Sequence, residues 1–393
     1  MRAMLPVGVV AWVIAVAWVW KVVEALRGMP RVPNLLLPEF DVWPVGEPRV
    51  TVLVPARDEA GDIAACLISL LTQDYSNLNI IAIDDRSSDA TGRIMDELAA
   101  RDSQRLSVVH VAELPEGWLG KTHAMAMGAR QAIAMHQPEY LLFTDADVIF
   151  QPQAIRRALA QAVATGADHF VLVPSPILRT AGEAALLGFM QVMGLLAVRP
   201  WRVADARARD AIGVGGFNLM RVDAYEALGG FEALRMQIVE DVVLARRVKR
   251  MGLRQRVAFA PGMVTLHWAA GAMGVVKGVT KNMFAVFGFR PGVLLGACLG
   301  LVLFWLGPLA GLFYTGTRLP AVLTLAAIAT MYGLTRRMGG IPVWTAVAFP
   351  FSVVLFSYSM LRSMVVTLRT GGVTWRGTFY PLAELRRNVE RLQ

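Results

Sequence analysis

Long apolar runs lie at the two ends of the chain and are missing from its middle. The runs are residues 5–20 and about 291–314, 319–335 and 342–366. A helix across a bilayer needs about 20 mostly apolar residues, a length that these runs reach or approach. The pattern predicts an N-terminal transmembrane anchor within residues 1–30 and about three transmembrane helices within residues 291–366.

A cleaved signal peptide is the alternative for the first run. Trp12, Trp18 and Trp20 favour an anchor, because tryptophan is enriched at membrane interfaces and no small-residue cleavage site follows. A further apolar stretch, residues 184–198, has 15 residues and is too short to span. We expect an interfacial helix there, with a buried core helix as the alternative.

Residues 48–270, in the middle of the chain, have a different pattern of apolar and polar positions. Short aliphatic runs begin at residues 51, 79, 106, 140 and 169 and alternate with helical stretches near 60–72, 89–100, 121–136 and 153–164. Such alternation predicts βαβ units and an α/β domain with a mainly parallel, Rossmann-like sheet. Ligands of such sheets bind outside the carboxyl ends of the strands, so candidate site residues should follow the apolar runs. Residues 271–290 are expected to be an interfacial segment and residues 367–393 a basic tail.

Composition agrees with a membrane protein that binds an anion. The mean hydropathy is +0.48, and 39 Lys and Arg against 30 Asp and Glu give a net charge of +9. This charge favours an anionic lipid surface or a phosphate-bearing ligand, and nucleic acid is not the expected partner. The two cysteines, Cys66 and Cys298, stand far apart in dissimilar contexts, which indicates neither a disulfide nor a cysteine metal site.

Acidic residues follow the first two predicted strands. The first strand leads into Pro55, Ala56, Arg57, Asp58 and Glu59. The second ends in Asp84 and Asp85, where capping of the next helix would not explain two adjacent carboxylates. An acidic helix start that complements the helix dipole is the alternative for the first group.

The fourth strand ends in Asp145 and Asp147, two residues apart and therefore on one face if extended. Carboxylates at this spacing suit Mg²⁺ or Mn²⁺ that arrives with a diphosphate. A turn with two aspartates is the alternative. His267 is a weaker candidate for a third ligand, since a lone histidine is more often structural.

Three other features complete the predicted site. Lys121 stands beside Gly120 at a predicted helix start, where a cation and backbone N–H groups attract phosphate. Glu240 and Asp241 precede a helix, and a carboxylate there could accept a proton from a hydroxyl, although an acidic helix start is equally consistent. The glycine-rich segment 213–218 could let backbone approach a ligand, or could serve packing alone.

In order along the chain, VPARDE at 54, IAIDDRSSD at 81, TDAD at 144, GGFE at 229 and VED at 239 resemble the family 2 glycosyltransferases with the GT-A fold. The resemblance covers about residues 48–270. It implies inverting transfer of one sugar from a nucleotide diphosphate donor, with a divalent metal. By motif, Ala56, Glu59 and Asp85 would contact the nucleoside, and the neighbouring Pro55, Arg57 and Asp84 join the donor-binding candidates.

The resemblance also implies that Asp145 and Asp147 bind donor and metal, and that Asp241, beside Glu240, is the catalytic base. GWLGK with Lys121 resembles the diphosphate-contacting lysine of the branch that glycosylates membrane lipids, including ceramide glucosyltransferase-like, carotenoid and hopanoid-associated members. The segment 371–380 resembles the W-R-G-R-x-Y ending of that branch, with Thr378 where Arg is usual.

One departure concerns the acceptor. Processive polysaccharide synthases and ceramide glucosyltransferases of this family carry a Q-x-x-R-W motif, whereas residues 278–287 read GVTKNMFAVF. We therefore expect the transfer of a single hexose from a UDP-hexose to a membrane lipid such as a hopanoid or carotenoid. A non-catalytic nucleotide-sugar-binding membrane protein is the alternative. A nucleotidyltransferase is disfavoured because ARDEA replaces a basic glycine-rich loop after the first strand.

The expected location is the cytoplasmic membrane, crossed several times, with the catalytic domain in the cytoplasm. One span before that domain and three after it would put the tail outside. The tail is nevertheless rich in arginine, contrary to the positive-inside rule. Its arginines are Arg369, Arg376, Arg386, Arg387 and Arg391. One apolar run is therefore a candidate for a segment that does not cross.

Overall fold

The computed structural model describes residues 4–375 and 377–388. Ten strands lie between residues 50 and 266. They are β1 Val50–Ala56, β2 Leu78–Asp85, β3 Leu106–Val111, β4 Tyr140–Phe143, β5 Val148–Phe150, β6 His169–Val173, β7 Ser175–Pro176, β8 Asn218–Arg221, β9 Gln255–Phe259 and β10 Val264–Leu266. The five predicted strands correspond to β1, β2, β3, β4 and β6. The other five were not predicted; three of them, β5, β7 and β10, have only two or three residues, too few for a periodic pattern.

Seven of these strands form one sheet in the order β3-β2-β1-β4-β8-β6-β9. All neighbours pair in parallel except β8, which runs antiparallel to β4 and β6. Every residue of β1 is buried, as expected for a parallel strand covered on both faces. A smaller sheet has the order β5-β10-β7.

Helices cover both faces of the large sheet and continue beyond it. The helices up to the last strand of the domain are α1 Met4–Gly28, α2 Ile63–Leu71, α3 Thr91–Arg101, α4 Gly120–His136, α5 Ala154–Ala164, α6 Ala181–Ala197, α7 Val222–Ala227 and α8 Glu240–Arg250. Those after it are α9 Gly271–Val286, α10 Pro291–Gly311, α11 Arg318–Gly339 and α12 Phe349–Thr370, followed by the hairpin β11 Gly372–Trp375 and β12 Thr378–Pro381 and by α13 Leu382–Asn388. Short 3-10 turns occupy Met29–Arg31, Pro38–Phe40, Pro200–Arg202, Phe231–Leu234 and Val343–Ala346.

Five helices of the described chain are long and apolar enough to cross a membrane, one more than the sequence predicted. They are Pro6–Arg31, Ala181–Arg202, Pro291–Gly311, Arg318–Gly339 and Phe349–Thr370. The additional one contains α6, whose apolar stretch was expected to be too short. The helix starts earlier because Thr180 and Glu183 form a capping box, and the 3-10 turn Pro200–Arg202 extends it at the other end.

The C-terminal segment packs against the sheet domain. Tyr380 Oη accepts a hydrogen bond from the backbone N–H of Gly120 at 3.3 Å, and Gln237 Nε2 donates to the carbonyl of Asn388 at 2.5 Å. The side chain of Leu385 is fully buried. Of the tail arginines, Arg376 and Arg391 lie outside the described residues.

Candidate active site

The loops after β1 and β2 emerge together at the carboxyl edge of the large sheet. The register of the two strands ends with Ala56 opposite Asp84. Asp58, at φ 54°, accepts hydrogen bonds from the backbone N–H and the hydroxyl of Ser88 at 2.7 and 3.0 Å. Ser87 Oγ in turn accepts the N–H of Asp58 at 3.1 Å. Hydrogen bonds therefore hold the two predicted donor-binding loops together at this edge of the sheet.

The adjacent aspartates of β2 point to opposite faces of the sheet, as successive strand residues do. Asp84 lies 3.1 Å from His110 Nδ1 and accepts the N–H of Ser87, so its carboxylate ties β2 to β3 and to the following loop. Asp85 accepts a 2.8 Å hydrogen bond from Arg86 Nε. Only Asp85 lies against Gly120 and thus beside the start of α4.

Lys121 is the centre of the site. Its Nζ lies 2.6 Å from Asp145 Oδ1 and 2.7 Å from Glu240 Oε1. Burial alone would lower the pKa of Lys121, but the carboxylates of Asp145, Glu240 and Asp241 raise it well above its usual value. Three segments far apart in sequence, the start of α4, the end of β4 and the start of α8, therefore converge on one cation.

The two aspartates after β4 crowd each other. Burial, then the negative charge of Asp145, then that of Glu59 raise the pKa of Asp147 to about 7. The backbone carbonyl of Asp145 lies 3.7 Å from the thiol of Cys66, and Thr144 Oγ1 donates to the carbonyl of Gly216 at 2.8 Å. A second cation near these carboxylates would relieve their repulsion.

The glycine-rich segment lies directly against the predicted catalytic carboxylates. A Cβ on Gly215 would lie closer than 3.0 Å to Asp145 Oδ2, and one on Gly213 would lie closer than 3.0 Å to the backbone carbonyl of Asp241. Glycine is therefore needed at both positions for close packing. The sequence left this segment's purpose open, because glycine spacing alone does not identify the neighbour.

Asp241 is held at the first turn of α8, where its Oδ1 accepts the N–H of Val242 at 2.8 Å. Burial, and next the charge of the adjacent Glu240, raise the pKa of Asp241 above its ordinary value, against the opposing effect of Lys121. A carboxylate with a raised pKa is a stronger proton acceptor than an exposed one.

His267 is not grouped with the two aspartates. Its Nε2 lies 3.6 Å from Glu183 Oε2, and Glu183 also accepts the N–H groups of Arg179 and Gly271. Leu266 pairs with Val148 in the β5–β10 ladder, so His267 follows one residue beyond that pair. Among the described residues, no three His, Cys, Asp or Glu side chains form a metal-binding group.

A small open cleft adjoins Lys121 and Glu240. Its walls include Gln237 of the loop before α8 and Val373 and Tyr380 of the C-terminal hairpin. Arg57, after β1, reaches the same hairpin, where its Nη1 donates to Thr378 Oγ1 at 3.2 Å. The sequence indicated a family motif in residues 371–380, but it did not predict that this segment contacts the site.

Known proteins resemble this chain in sequence and in fold. Residues 51–229 match the family described as "Glycosyl transferase family 2". The protein is a glycosyltransferase. This glycosyltransferase is 25% identical over 347 residues to "4,4'-diaponeurosporenoate glycosyltransferase" of Staphylococcus aureus strain bovine RF122 / ET3-1, a match covering 85% of this chain and 89% of the relative. The protein of strain USA300 matches to the same extent.

A solved mannosyltransferase from Pyrobaculum calidifontis, in complex with GDP-Man and Mn2+, has a similar fold. The TM-score is 0.52 at 19% identity, and the match covers 92% of this glycosyltransferase and 98% of the solved chain. The predictions of a glycosyltransferase with a GT-A α/β domain and of apolar membrane-type helices are confirmed.

Proposed function

We propose that the protein transfers a single hexose, with inversion, from a nucleotide diphosphate sugar, expected to be a UDP-hexose, to a membrane lipid. The observation that carries the proposal is the convergence of Lys121 with Asp145 and Glu240 at the carboxyl edge of the sheet. A lysine at a helix N-terminus beside carboxylates suits a diphosphate with its metal. Inversion then requires attack from the opposite side of the sugar.

In this proposal Lys121 and the start of α4 hold the donor diphosphate, and Asp85 and Glu59 hold the nucleoside beside Ala56. Asp241 takes the proton of the acceptor hydroxyl as that oxygen attacks the anomeric carbon, and the bond from this carbon to the diphosphate oxygen of the donor breaks. Its raised pKa supports this part, because proton transfer is most efficient when the pKa of the base lies near the working pH. Glu240 keeps Lys121 in place at 2.7 Å.

Asp145 and Asp147 would hold Mn²⁺ or Mg²⁺. Their donor set fits, since these ions use hard oxygen ligands and commonly bind one or two protein carboxylates together with substrate phosphates. The raised pKa of Asp147 supports the fit, because a bound cation would offset its causes, which are burial and then the charges of Asp145 and Glu59. The metal would neutralise charge on the departing diphosphate. His267 as a third ligand stays a prediction.

A lipid acceptor is supported by the surroundings of the site. Leu119, Val373 and Tyr380 belong to the same apolar cluster as buried residues of α9, α10 and α12. The staphylococcal relatives are named for diaponeurosporenoate, a name that fits a carotenoid acceptor in those proteins. We propose a hopanoid, carotenoid or other membrane lipid here.

We further propose that residues 48–270 form the catalytic domain on the cytoplasmic face, with 271–290 at the interface and the helices of 291–366 in the bilayer. The contacts of Tyr380 with Gly120 and of Gln237 with Asn388 support a position of residues 377–388 on the same face as the catalytic domain. The number of crossings between β10 and β11 is then even. We assign the two crossings to α10 and α11 and propose that α12, one unbroken helix, does not cross. Thr345, just before α12, packs on Gly188 of α6.

In the same proposal α6 does not cross. It connects β7 to β8, two strands of the same domain, so its ends lie on one face of the membrane. The chain from 198 to 217 returns through charged residues such as Arg199, which pairs with Asp210 at 2.8 Å and with Glu24 of α1 at 3.2 Å. Such a segment is not a second span.

The test is nucleotide release by the purified full-length protein in detergent. UDP- and GDP-sugars are supplied with Mn²⁺ or Mg²⁺, with and without membrane lipid extract, to the wild type and to Asp147→Ala. Release from one donor that needs metal, lipid and Asp147 is the expected result. A protein that binds donors but releases nothing with any lipid would contradict the proposal in favour of a donor-binding role.

A further inference from the structure

The C-terminal hairpin β11–β12 touches two parts of the candidate donor site that are far apart in sequence. Thr378 meets Arg57 of the loop after β1, and Tyr380 meets Gly120 at the start of α4. Tyr380 is 6% exposed, so its ring is fixed by packing while its hydroxyl reaches the helix end. The hairpin lies outside residues 51–229, the part that matches the family.

The hydrogen bonds along the hairpin have a fixed direction. A guanidinium and a backbone N–H can only donate, so Thr378 Oγ1 accepts from Arg57 at 3.2 Å and Tyr380 Oη accepts from Gly120 at 3.3 Å. Burial raises the pKa of Tyr380, and the N–H of Gly120 and the hydroxyl of Thr378 partly oppose this rise, as groups that donate to the phenol oxygen do. The chain therefore runs from Arg57 through Thr378 to Tyr380.

This direction leaves the hydroxyl hydrogen of Tyr380 as the donor at the end of the chain. Hydrogen bonds in sequence polarise one another, so an oxygen that accepts from two donors gives up its own hydrogen more readily. The hydroxyl stands at the N-terminus of α4, and both Tyr380 and Lys121 line the cleft. An anionic oxygen bound there would meet the ammonium group, the helix end and the phenol together.

We propose that Tyr380 is a binding residue of the donor site, whose hydroxyl donates a hydrogen bond to a diphosphate oxygen of the nucleotide at the start of α4. Thr378 is a positioning residue that acts through Tyr380 and Arg57. This inference rests on the proposed function, because it assumes a nucleotide diphosphate ligand. It adds the end of the chain to a site otherwise built from residues 55–241.

The experiment measures the binding of UDP and GDP to the detergent-purified full-length protein with Mn²⁺, for the wild type, Tyr380→Phe and Tyr314→Phe. Tyr314 is the matched control, since it is 58% exposed between α10 and α11. We expect Tyr380→Phe to weaken the binding of the preferred diphosphate about tenfold, the effect of losing a hydrogen bond to a charged group. Tyr314→Phe should leave the affinity unchanged.

Thr378 supplies a second test that does not alter the buried ring. Thr378→Val should raise the donor KM several-fold with little change in kcat or in the acceptor KM, and Thr378→Ser, which keeps the hydroxyl, should restore the wild-type value. A merely structural threonine would shift the melting temperature without this split between the two KM values.

The outcomes distinguish a failure of the inference from a failure of the proposed function. Tyr380→Phe that binds both diphosphates within twofold of the wild type would overturn the inference while the proposed function stands. A change in the acceptor KM alone would also overturn it and would assign the hydroxyl to the acceptor. Wild-type protein that binds neither UDP nor GDP would overturn the proposed function, and the inference with it.

Discussion

Gly215 lies directly over the carboxylate of Asp145, so closely that a methyl group there would stand less than 3.0 Å from Asp145 Oδ2. This oxygen fills the space that a side chain at position 215 would need, while Lys121 Nζ holds the other oxygen, Oδ1, at 2.6 Å. The orientation of Asp145 therefore depends on a residue without a side chain.

Gly215→Ala should displace the Asp145 carboxylate and lower kcat/KM about tenfold to a hundredfold, because misplacing a reacting group by about 1 Å costs rates of that order. Gly194→Ala is the control, since nothing lies within 4 Å of a Cβ at that position. Steady-state kinetics on both variants, at matched melting temperatures, make the comparison. Equal activity of Gly215→Ala and wild type would show that the position of Asp145 is unimportant.

Lys121→Met should abolish most of the activity, about a hundredfold or more, because it removes the cation shared by Asp145 and Glu240. Lys121→Arg keeps the charge but not the compact ammonium group, so we expect an intermediate loss. Donor titration followed by single-turnover kinetics separates binding from chemistry. A Lys121→Met variant with wild-type donor affinity would remove the lysine from the diphosphate site.

The sequence predicted the main sheet and most of the site because both depend on local patterns. Long apolar runs, alternating strands and helices, and carboxylates at strand ends all report on residues close together in the chain. Lys121, Asp145 and Glu240 were each found in this way, and the fold then brought them within ion-pair distance.

What escaped prediction depends on contacts between distant segments. The pairing of Tyr380 with Gly120 joins residues 260 apart, and no pattern near either residue indicates it. The separate directions of Asp84 and Asp85 follow from strand alternation, but which face carries the site becomes visible only with α4 in place. The packing of Gly215 on Asp145 and of Gly213 on Asp241 could not be predicted either, because each pair joins segments that are far apart in the sequence.

The tail provides a test of the membrane arrangement. Cysteines are introduced singly at Tyr314 and Arg387, both exposed, because native Cys66 and Cys298 are buried and should react slowly. In intact cells a membrane-impermeant maleimide should label Tyr314→Cys and spare Arg387→Cys, and inverted vesicles should give the opposite result. Labelling of Arg387→Cys in intact cells would mean that α12 crosses and that the tail lies outside.

Through Asp147, the free energy of unfolding should depend on pH and on bound metal. Its pKa is raised to about 7, so the stability that its protonated form contributes is complete below the ordinary value of 3.8 and is lost as pH rises through 7. Metal-free Asp147→Asn should therefore melt at a higher temperature than wild type at pH 8, with the difference vanishing near pH 4. Mn²⁺ with UDP should stabilise the wild type more than the variant. A variant that is less stable than wild type at pH 8 would be inconsistent with this pKa.

Asp241→Asn distinguishes the two chemical classes of acceptor. A lipid hydroxyl must lose its proton during attack, so loss of the base should lower kcat by about 10² to 10⁴ while donor binding persists. A lipid carboxylic acid is already ionised at neutral pH, and sugar transfer to it should depend far less on Asp241.

For a hydroxyl acceptor the wild-type rate should also fall as pH drops below the raised pKa of Asp241, because the protonated carboxyl cannot accept a proton. The measurement is kcat against pH with one hydroxyl-ended and one carboxyl-ended lipid, for both proteins. Wild-type rates in Asp241→Asn with a hydroxyl lipid would require a different base.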